Sequence, residues 1–285
     1  MSIRCIALDL DRTTLNSAGQ LSERNRKAME QAIESGIQIA VASGRSLDSL
    51  PAAVLEIPGI RYAITSNGAA VYDLEERTCL RQYKLTAEAV RDILRWTEEA
   101  DVTFEAFIDG KPYAEKDYVE DPVRFGAMPQ SIPYIQGTRE PVENMRHFIQ
   151  RHEEELDCID VVVKSEEYKR QLWKTLEKQA RHVYITSSVK QLLEISDVNA
   201  GKDAAARFLI EYLGMTREEL AGFGDGHNDS GLLEFAGIGF AVENAVEECR
   251  KAADRIVSSN DGAGVAEGIE YILRLNRREA EERII

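Results

Sequence analysis

Two aspartates near the N-terminus, Asp9 and Asp11, are the first residues whose types and spacing suggest chemistry. They follow the short, almost unbroken apolar run Ile3–Leu8, which is typical of a strand buried on both faces. Open α/β sheets bind ligands at the carboxyl ends of their strands, and residues i and i+2 of an extended segment share a face. Two like charges at such a short distance repel each other, so either a divalent cation lies between them or one carboxyl stays protonated. The alternative interpretation is a solvated acidic turn.

A second acidic loop, Gly224-Asp225-Gly226-His227-Asn228-Asp229, follows the apolar run Leu220–Phe223. Its carboxylate and amide oxygens form a hard-oxygen site of the kind that Mg²⁺ prefers. Asp225 is expected to bind the ion directly, and Asp229 to bind it or to orient its waters. His227 is not predicted to have a chemical role, because no second histidine or cysteine lies nearby.

Two shorter loops have residues suited to an anion. Ser43-Gly44-Arg45 follows the apolar run Ile37–Ala42, and a hydroxyl residue and a glycine there let backbone N–H groups reach a phosphate. Lys202 lies between a strand at Leu192–Ile195 and a helix at Asp203–Leu213, where its ammonium can reach the same anion. Taken alone, each motif is also compatible with an ordinary loop or a solvated lysine.

The elements around these loops predict how they are positioned. A helix capped by Ser22 and ended by Gly36 joins the first two strands, which indicates a right-handed βαβ unit with parallel strands. We expect the four loops to lie at the carboxyl ends of four strands of one parallel sheet and to converge on one crevice. From about Thr86 to Ser188, hairpins alternate with helices, which favours an inserted α+β module with a mostly antiparallel sheet. It includes a hairpin turning at Asp109-Gly110 and a loop over Asp121–Pro141.

The composition of the 285 residues is that of a globular protein, with 44% hydrophobic and 30% charged residues. The formal net charge of -15 argues against nucleic acid or an anionic membrane as a partner. No apolar run approaches the roughly 18 residues of a membrane span. The four cysteines are far apart and lack metal spacing, so we expect free thiols and a cytoplasmic protein. The oligomeric state is not predicted.

Together these groups suit phosphoryl transfer. A carboxylate beside Mg²⁺ can attack phosphorus, and Asp9 is the predicted nucleophile. Asp11 is the predicted acid and base for the leaving alkoxide and the second-step water. The Lys202 ammonium, the Ser43 hydroxyl, loop N–H groups and Mg²⁺ would balance the charge on the phosphoryl oxygens, and Asn228 would donate a hydrogen bond to them.

In this order the four loops resemble the four motifs of the haloacid dehalogenase (HAD) superfamily of phosphohydrolases. The long insertion, with Ser66-Asn67-Gly68-Ala69 before it and the segment at 260–266 near the end, resembles the Cof-type branch. The resemblance implies an aspartate nucleophile, an acid/base aspartate that also binds Mg²⁺ through its carbonyl, and two further metal-binding aspartates. The corresponding metal ligands here are Asp9, Asp11, Asp225 and Asp229.

The resemblance also implies an α/β fold with a Rossmann-like, HAD-like parallel-sheet core and an inserted α+β cap domain that closes over the site. The predicted core is 1–83 and 190–285, and the predicted cap is 84–189. Where the family usually has a glycine after the second aspartate, this chain has Arg12, which either binds a substrate anion or alters the turn that positions Asp11. The predicted catalytic residues are Asp9, Asp11, Ser43 and Lys202, and the predicted phosphate- or substrate-binding residues are Leu10, Arg12, Ser43, Gly44, Arg45, Lys202 and Asn228.

The leading hypothesis is a Mg²⁺-dependent phosphatase acting on a small phosphorylated metabolite such as a sugar phosphate. One alternative is a phosphate-binding or phospho-aspartate signalling domain without turnover, although receiver domains lack such an insertion and a second acidic loop. Another is a phosphomutase on the same scaffold. Release of inorganic phosphate separates the first hypothesis from the second, and analysis of the product separates it from the third.

Overall fold

A computed structural model describes residues 2–282. These residues contain fourteen strands: β1 (Cys5–Leu8), β2 (Gln38–Ala42), β3 (Ile60–Thr65), β4 (Ala70–Asp73), β5 (Thr78–Gln82), β6 (Val102–Ile108), β7 (Lys111–Glu115), β8 (Glu140–Val142), β9 (Cys158–Val163), β10 (Val183–Thr186), β11 (Leu192–Asp197), β12 (Leu220–Gly224), β13 (Ile238–Val242) and β14 (Arg255–Val257). The helices in the same residues are α1 (Glu23–Glu34), α2 (Ala52–Leu55), α3 (Ala87–Trp96), α4 (Lys116–Glu120), α5 (Ile132–Thr138), α6 (Met145–Arg151), α7 (Glu166–Gln179), α8 (Lys202–Tyr212), α9 (Ser230–Phe235), α10 (Glu247–Ala252) and α11 (Gly264–Glu282).

The first sheet has the strand order β14-β13-β12-β1-β2-β3-β4-β5. Its six strands from β14 to β3 are parallel, and β4 runs antiparallel to β3. All four residues of β1 are buried, as the apolar run predicts for a central strand. Leu8 at the end of β1 pairs with Val41 of β2 and Phe223 of β12. The carboxyl ends of these three strands are therefore level, and the predicted α/β parallel-sheet fold is confirmed.

Helix α1 begins where the sequence predicts. The side chain of Ser22 accepts a hydrogen bond from the backbone N–H of Asn25, which satisfies one of the free donors of the first turn. Asn25 is buried in turn and donates from Nδ2 to the carbonyl of Thr14, 2.9 Å away. This contact ties the start of α1 to the loop that follows β1.

The second sheet has the order β10-β11-β9-β6-β7-β8 and is antiparallel except for the β7–β8 pair. Apolar side chains on one face of it, such as Phe104, Ile159 and Ile195, form a buried cluster with residues of α3, α6 and α7. The predicted hairpin is confirmed: Asp109 and Gly110 both have positive φ, 48° and 81°, as a tight two-residue connection requires.

One strand lies in a different sheet from the one the sequence suggests. Strand β11, which leads to Lys202, pairs with β9 and β10 in the second sheet and not with the parallel strands of the first. The expectation of four loops on four strands of one parallel sheet is therefore wrong for the third loop. A short apolar run indicates a strand but not its pairing partner, because both sheets bury their strands.

The predicted loop over Asp121–Pro141 is also wrong, because it contains regular structure. Short 3₁₀ turns cover Pro122–Phe125 and Pro129–Ser131, followed by α5 and β8. Pro122 and Pro129, two of the prolines that suggested a loop, are the first residues of these turns, where a missing N–H costs nothing.

The chain divides into two compact units. The first comprises Met1–Ser43, Leu50–Leu80 and Gly201–Ile285, and the second comprises Gly44–Ser49 and Arg81–Ala200. The assignment of 1–83 and 190–285 to a core domain and 84–189 to a cap stays a prediction. Within residues 2–282, every helix is too short or too polar to cross a bilayer.

Candidate active site

Asp9 lies at the carboxyl end of β1 and is only 5% exposed. Its backbone N–H donates to the carbonyl of Phe223 (3.1 Å), which continues the β1–β12 pairing by one residue. Its carbonyl accepts from the hydroxyl of Thr14 (2.5 Å), which closes the irregular turn Leu10–Thr14. The position of Asp9 is thus fixed by the neighbouring strand and by the turn that follows it.

Lys202, the first residue of α8, is completely buried and bridges two aspartates. Its ammonium nitrogen is 2.7 Å from Oδ1 of Asp9 and 2.6 Å from Oδ1 of Asp229. Burial lowers the pKa of Lys202, but the charges of Asp229 and Asp9 outweigh burial and raise the pKa above its ordinary value. Lys202 is therefore a permanent cation inside the site.

The loop after β12 is held by one of its own carboxylates. Oδ2 of Asp229 accepts from the backbone N–H groups of Asp225 and Gly226, both at 2.9 Å. A Cβ on Gly224 would lie 2.3 Å from the Cβ of Asp229, so only glycine leaves room for this turn. Thr13 approaches from the β1 loop, with its hydroxyl 3.4 Å from Oδ1 of Asp225.

The site carries more negative than positive charge. Burial, followed by the charge of Asp229, raises the pKa of Asp9 well above its ordinary value, although Lys202 opposes this. Burial and the same neighbour raise the pKa of Asp225 to about 7, against the charges of Arg12 and Lys202. Three buried carboxylates share one buried ammonium, and an additional cation would relieve their repulsion.

The donor set fits Mg²⁺. Among residues 2–282, one group of acidic side chains is arranged for a metal: Asp9, Asp225 and Asp229 each offer an oxygen, and these oxygens lie within 4.8 Å of one another. Oδ2 of Asp9 is buried without a hydrogen-bond partner among these residues. Buried carboxylate oxygens that lack a donor are the ligands a hard divalent cation requires.

Arg12 has a left-handed backbone, with φ of 61°. Asn244 brackets this residue, because its Nδ2 donates to the Arg12 carbonyl (2.8 Å) and its carbonyl accepts from Nη2 of Arg12 (3.4 Å). The Arg12 side chain is 54% exposed, and its Nε lies 3.6 Å from Oδ2 of Asp225. A long cation therefore lies beside one of the candidate metal ligands.

The remaining predicted residues are placed less directly. Leu10 is buried and Asp11 is half-buried, and the carboxylate of Asp11 lies outside the set of three described above. Ser43 is buried just past β2, and Asn228 is buried in the Asp225 loop. Thus Asp9, Lys202, Asp225 and Asp229 form one cluster within the first unit, with Arg12 beside it.

Gly44 and Arg45 belong to the second unit. The guanidinium of Arg45 donates to the carbonyl of Ser49 (3.1 Å) and lies 4.1 Å from the centre of the Tyr134 ring, both within that unit. These contacts lie within the second unit, and a role for Gly44 and Arg45 at the site stays a prediction.

Sequence reasoning did not assign roles to Thr13 and Asn67, which the structure places against the Asp225–Asp229 loop. Thr13 contacts Asp225, and the Asn67 side chain accepts from Nδ2 of Asn228 at 2.9 Å. The available signal was a polar residue within the first motif and an Asn-Gly pair after a buried strand.

Comparison with known proteins places the chain in a family. Residues 6–269 match the model of haloacid dehalogenase-like hydrolases. The phosphatase YwpJ of Bacillus subtilis is 30% identical and covers 95% of this chain and 100% of the relative. The 5-amino-6-(5-phospho-D-ribitylamino)uracil phosphatase YwtE of the same organism is 28% identical over 95% of this chain and 98% of its own.

Solved structures agree with the sequence comparison. A haloacid dehalogenase-like hydrolase from B. subtilis superposes with a TM-score of 0.80 at 28% identity, covering 94% of this chain and 99% of the other. A haloacid dehalogenase-like hydrolase from Bacteroides thetaiotaomicron superposes with a TM-score of 0.77 at 27% identity, covering 95% of this chain and 100% of the other. The predicted Cof-type HAD phosphohydrolase class is confirmed. The chain therefore belongs to the haloacid dehalogenase-like hydrolases.

Proposed function

We propose that the protein is a Mg²⁺-dependent phosphatase that hydrolyses a small phosphorylated metabolite, such as a sugar phosphate, through an aspartyl-phosphate on Asp9. One observation carries the proposal. Lys202 holds Oδ1 of Asp9, whereas Oδ2 is buried without a hydrogen-bond partner among the described residues. The ammonium fixes the orientation of the carboxylate, as a nucleophile for phosphorus requires, and the oxygen that lacks a donor is suited to a metal ion.

In the first step, an oxygen of Asp9 forms a bond to phosphorus and the bond from phosphorus to the ester oxygen breaks. The leaving alkoxide takes a proton from the carboxyl of Asp11 and departs as the alcohol. In the second step, a water attacks phosphorus and gives its proton to the Asp11 carboxylate. The bond from phosphorus to Asp9 breaks, which releases inorganic phosphate and regenerates both side chains.

The other residues balance charge and orient the substrate. Asp9, Asp225 and Asp229, with the carbonyl of Asp11, would hold Mg²⁺, which would neutralise charge on the phosphoryl oxygens when bound. The buried Lys202 ammonium supplies a second, permanent positive charge at the nucleophile.

We assign phosphate binding to the Ser43 hydroxyl, the Asn228 amide and the backbone N–H groups of Leu10 and Gly44. Arg12 and Arg45 are assigned to anionic parts of the substrate. The Arg12 guanidinium is suited to that role because it is half exposed at the edge of the Asp9 cluster.

The resemblance and the relatives support the assignment of domains, a substrate class and a cellular location. We assign substrate selection to a cap at residues 84–189 and catalysis to a core at 1–83 and 190–285. One relative is named for a phosphorylated ribitylaminouracil, so phosphomonoesters of sugars and sugar alcohols form the first panel to test. The free cysteines and the net charge support a cytoplasmic protein without a nucleic-acid partner.

The test is release of inorganic phosphate from this panel with Mg²⁺ and after chelation. We expect turnover that depends on Mg²⁺ and falls by at least about 10³-fold in Asp9→Asn. Turnover that survives this substitution would contradict the mechanism. A stable, stoichiometric phospho-aspartate without phosphate release would instead indicate a signalling domain, and an isomeric phosphorylated product would indicate a mutase.

A further inference from the structure

A buried turn, Ser66–Gly68, lies between β3 and β4 in the first unit. Its three residues have φ of 49°, 55° and 94°, a left-handed conformation that residues with a Cβ seldom adopt. Ser66 and Asn67 are each 1% exposed. Since this conformation is unfavourable for Ser66 and Asn67, contacts with the surrounding structure must maintain it.

Asn67 joins two of the motif loops. Its backbone N–H donates to the carbonyl of Ser43 (3.1 Å), at the end of β2. Its side-chain Oδ1 accepts from Nδ2 of Asn228 (2.9 Å), in the Asp225 loop. Both asparagines are buried, so water does not compete for the bond between them.

Gly68 contacts the third loop. A Cβ at this position would lie 2.1 Å from the carbonyl oxygen of Gly201, so the two backbones are in direct contact. Gly201 immediately precedes Lys202, which binds Asp9 and Asp229. The turn Ser66–Gly68 therefore contacts the loops that carry Ser43, Lys202 and Asn228.

The other end of the Asn228 amide is also restricted. A Cβ on Gly226 would lie 2.5 Å from Oδ1 of Asn228, so this oxygen lies against the loop's own backbone. With Oδ1 beside Gly226 and Nδ2 bonded to Asn67, the plane of the amide is fixed. The Nδ2 nitrogen carries two hydrogens, and the bond to Asn67 uses one of them.

We propose that Asn67 is a positioning residue for phosphoryl transfer: it fixes the Asn228 amide so that the second hydrogen of Nδ2 is donated to the phosphoryl group. This inference rests on the proposed function, in which Asn228 binds phosphate. In this proposal the effect of Asn67 on phosphoryl transfer passes through Asn228, to which its side chain is hydrogen-bonded.

A double-mutant cycle tests the proposal. The variants are Asn67→Gly, which accepts the left-handed backbone but removes the amide, Asn228→Ala, and the two combined. The measurements are kcat, KM and the inhibition constant of inorganic phosphate. We expect each single variant to lose about tenfold in kcat/KM and in phosphate affinity, and the double variant to lose no more than Asn228→Ala.

Arg77→Gly is the matched control, because Arg77 also has a positive φ (53°) but lies exposed in the turn between β4 and β5. It should leave kcat/KM and phosphate inhibition unchanged. If Asn67→Gly melts below the assay temperature, Asn67→Asp replaces it, since it keeps an acceptor for Nδ2. Because the bond to Asn228 is kept, kcat/KM and phosphate inhibition of Asn67→Asp should stay close to those of the wild type, and a loss as large as that of Asn228→Ala would overturn the inference.

The inference would be overturned if the losses in kcat/KM of the two single variants multiply in the double variant. It would also be overturned if the Asn67→Gly enzyme has unchanged phosphate inhibition. The proposed function fails in a different way. In that case the wild type releases no phosphate, or Asn228→Ala leaves phosphate inhibition unchanged. An impaired Asn228→Ala enzyme with a normal Asn67→Gly enzyme would refute the positioning role alone.

Discussion

At the scale of single residues, the site opposes the stability of the fold. Asp9, Asp225 and Asp229 are buried together, and a single buried ammonium, that of Lys202, lies among them. Burial and mutual repulsion disfavour the charged forms, so the free energy of unfolding is lowered by groups that the chemistry needs. Removing one of these charges should stabilise the protein and destroy its function.

Asp225→Asn tests this trade-off. We expect the variant without metal at pH 8 to be more stable than the wild type by about 2 kcal/mol, because one buried carboxylate is neutralised. Millimolar Mg²⁺ should raise the melting temperature of the wild type, because it binds the native state, but not that of the variant. The measurement is thermal unfolding with and without Mg²⁺, beside an assay of phosphate release.

The control for this prediction is Asp101→Asn, because Asp101 is 83% exposed and its ion pair with Lys164 contributes little. Its melting temperature and Mg²⁺ response should match those of the wild type. A metal-free Asp225→Asn protein that is less stable than the wild type would show that the repulsion is not significant.

Arg12→Gly tests the role of the cation beside Asp225. Glycine adopts the positive φ of this position without strain, and the ion pair that is lost is long and exposed, so the free energy of unfolding should change by less than about 1 kcal/mol. KM should rise about tenfold for substrates with a second anionic group and little for simple phosphomonoesters. Steady-state kinetics on both substrate classes measures this difference.

Equal changes in KM for both substrate classes would refute a role in recognition, and a large loss of kcat would mean that Arg12 instead fixes the turn that positions Asp11. Arg77→Gly again provides the comparison, since it makes the same backbone change in an exposed turn.

The cluster of Asp9, Lys202, Asp225 and Asp229 was predictable from the sequence. Asp9 and Asp225 each directly follow a strand, and Asp229 and Lys202 lie at the start of a helix. Asn67 was not predictable as a site residue, because its importance depends on a side-chain contact across 161 positions of the chain. A pattern of residue types predicts which loops converge but not which side chains meet within them.

At the scale of elements, the limits of prediction have a similar cause. The capped helix α1 and the hairpin at Asp109-Gly110 were predicted correctly, because Ser22 and the Asp-Gly pair act within a few residues of themselves. Strand β11 was assigned to the wrong sheet, because pairing is decided by distant partners. Local signals specify local structure, and sheet membership is not local.

The second unit contains a buried carboxylate that should make its stability depend on pH. Asp157, just before β9, has a side chain only 1% exposed and accepts hydrogen bonds from Gln82 (2.7 Å) and from the N–H of Gly110 (3.1 Å). Burial raises the pKa of Asp157 to about 6 from its ordinary 3.8, although these donors and Lys84 oppose the shift.

The direction of the pH dependence follows from the number of protons that each state binds. Between about pH 4 and pH 6 the native state keeps a proton on Asp157 that the unfolded state has lost, so stability falls as the pH rises through this window. The total change is roughly 3 kcal/mol. Relative to the wild type, Asp157→Asn should therefore gain about that much between pH 4 and pH 7, as measured by urea unfolding at intermediate pH values.

Asp109→Asn provides a control of opposite sign. The hydrogen bond from Lys84 lowers the pKa of Asp109, so its contribution to stability is present above its ordinary pKa and is lost as the pH falls. This variant should lose stability relative to the wild type as the pH rises. A difference between Asp157→Asn and the wild type that does not vary with pH would show that Asp157 is charged throughout this range.

At the scale of the whole molecule, the net charge of -15 opposes the approach of a phosphorylated substrate. This repulsion comes largely from exposed carboxylates, whose fields are screened beyond about 8 Å at physiological salt. The attraction of Lys202 acts over a few ångströms inside a buried site and is screened much less. Added salt should therefore weaken the repulsion more than the attraction.

We accordingly expect kcat/KM for a phosphomonoester to rise about threefold between roughly 10 mM and 150 mM KCl at constant Mg²⁺ and pH. Because the long-range repulsion scales with the charge of the substrate, kcat/KM should rise more steeply with salt for a substrate with two phosphates. The inhibition constant of a neutral competitive inhibitor should not change with salt. The measurement is the initial rate at low substrate concentration against ionic strength. A fall in kcat/KM with salt would mean that local cations, with exposed Arg12 the first candidate, dominate the encounter despite the overall charge.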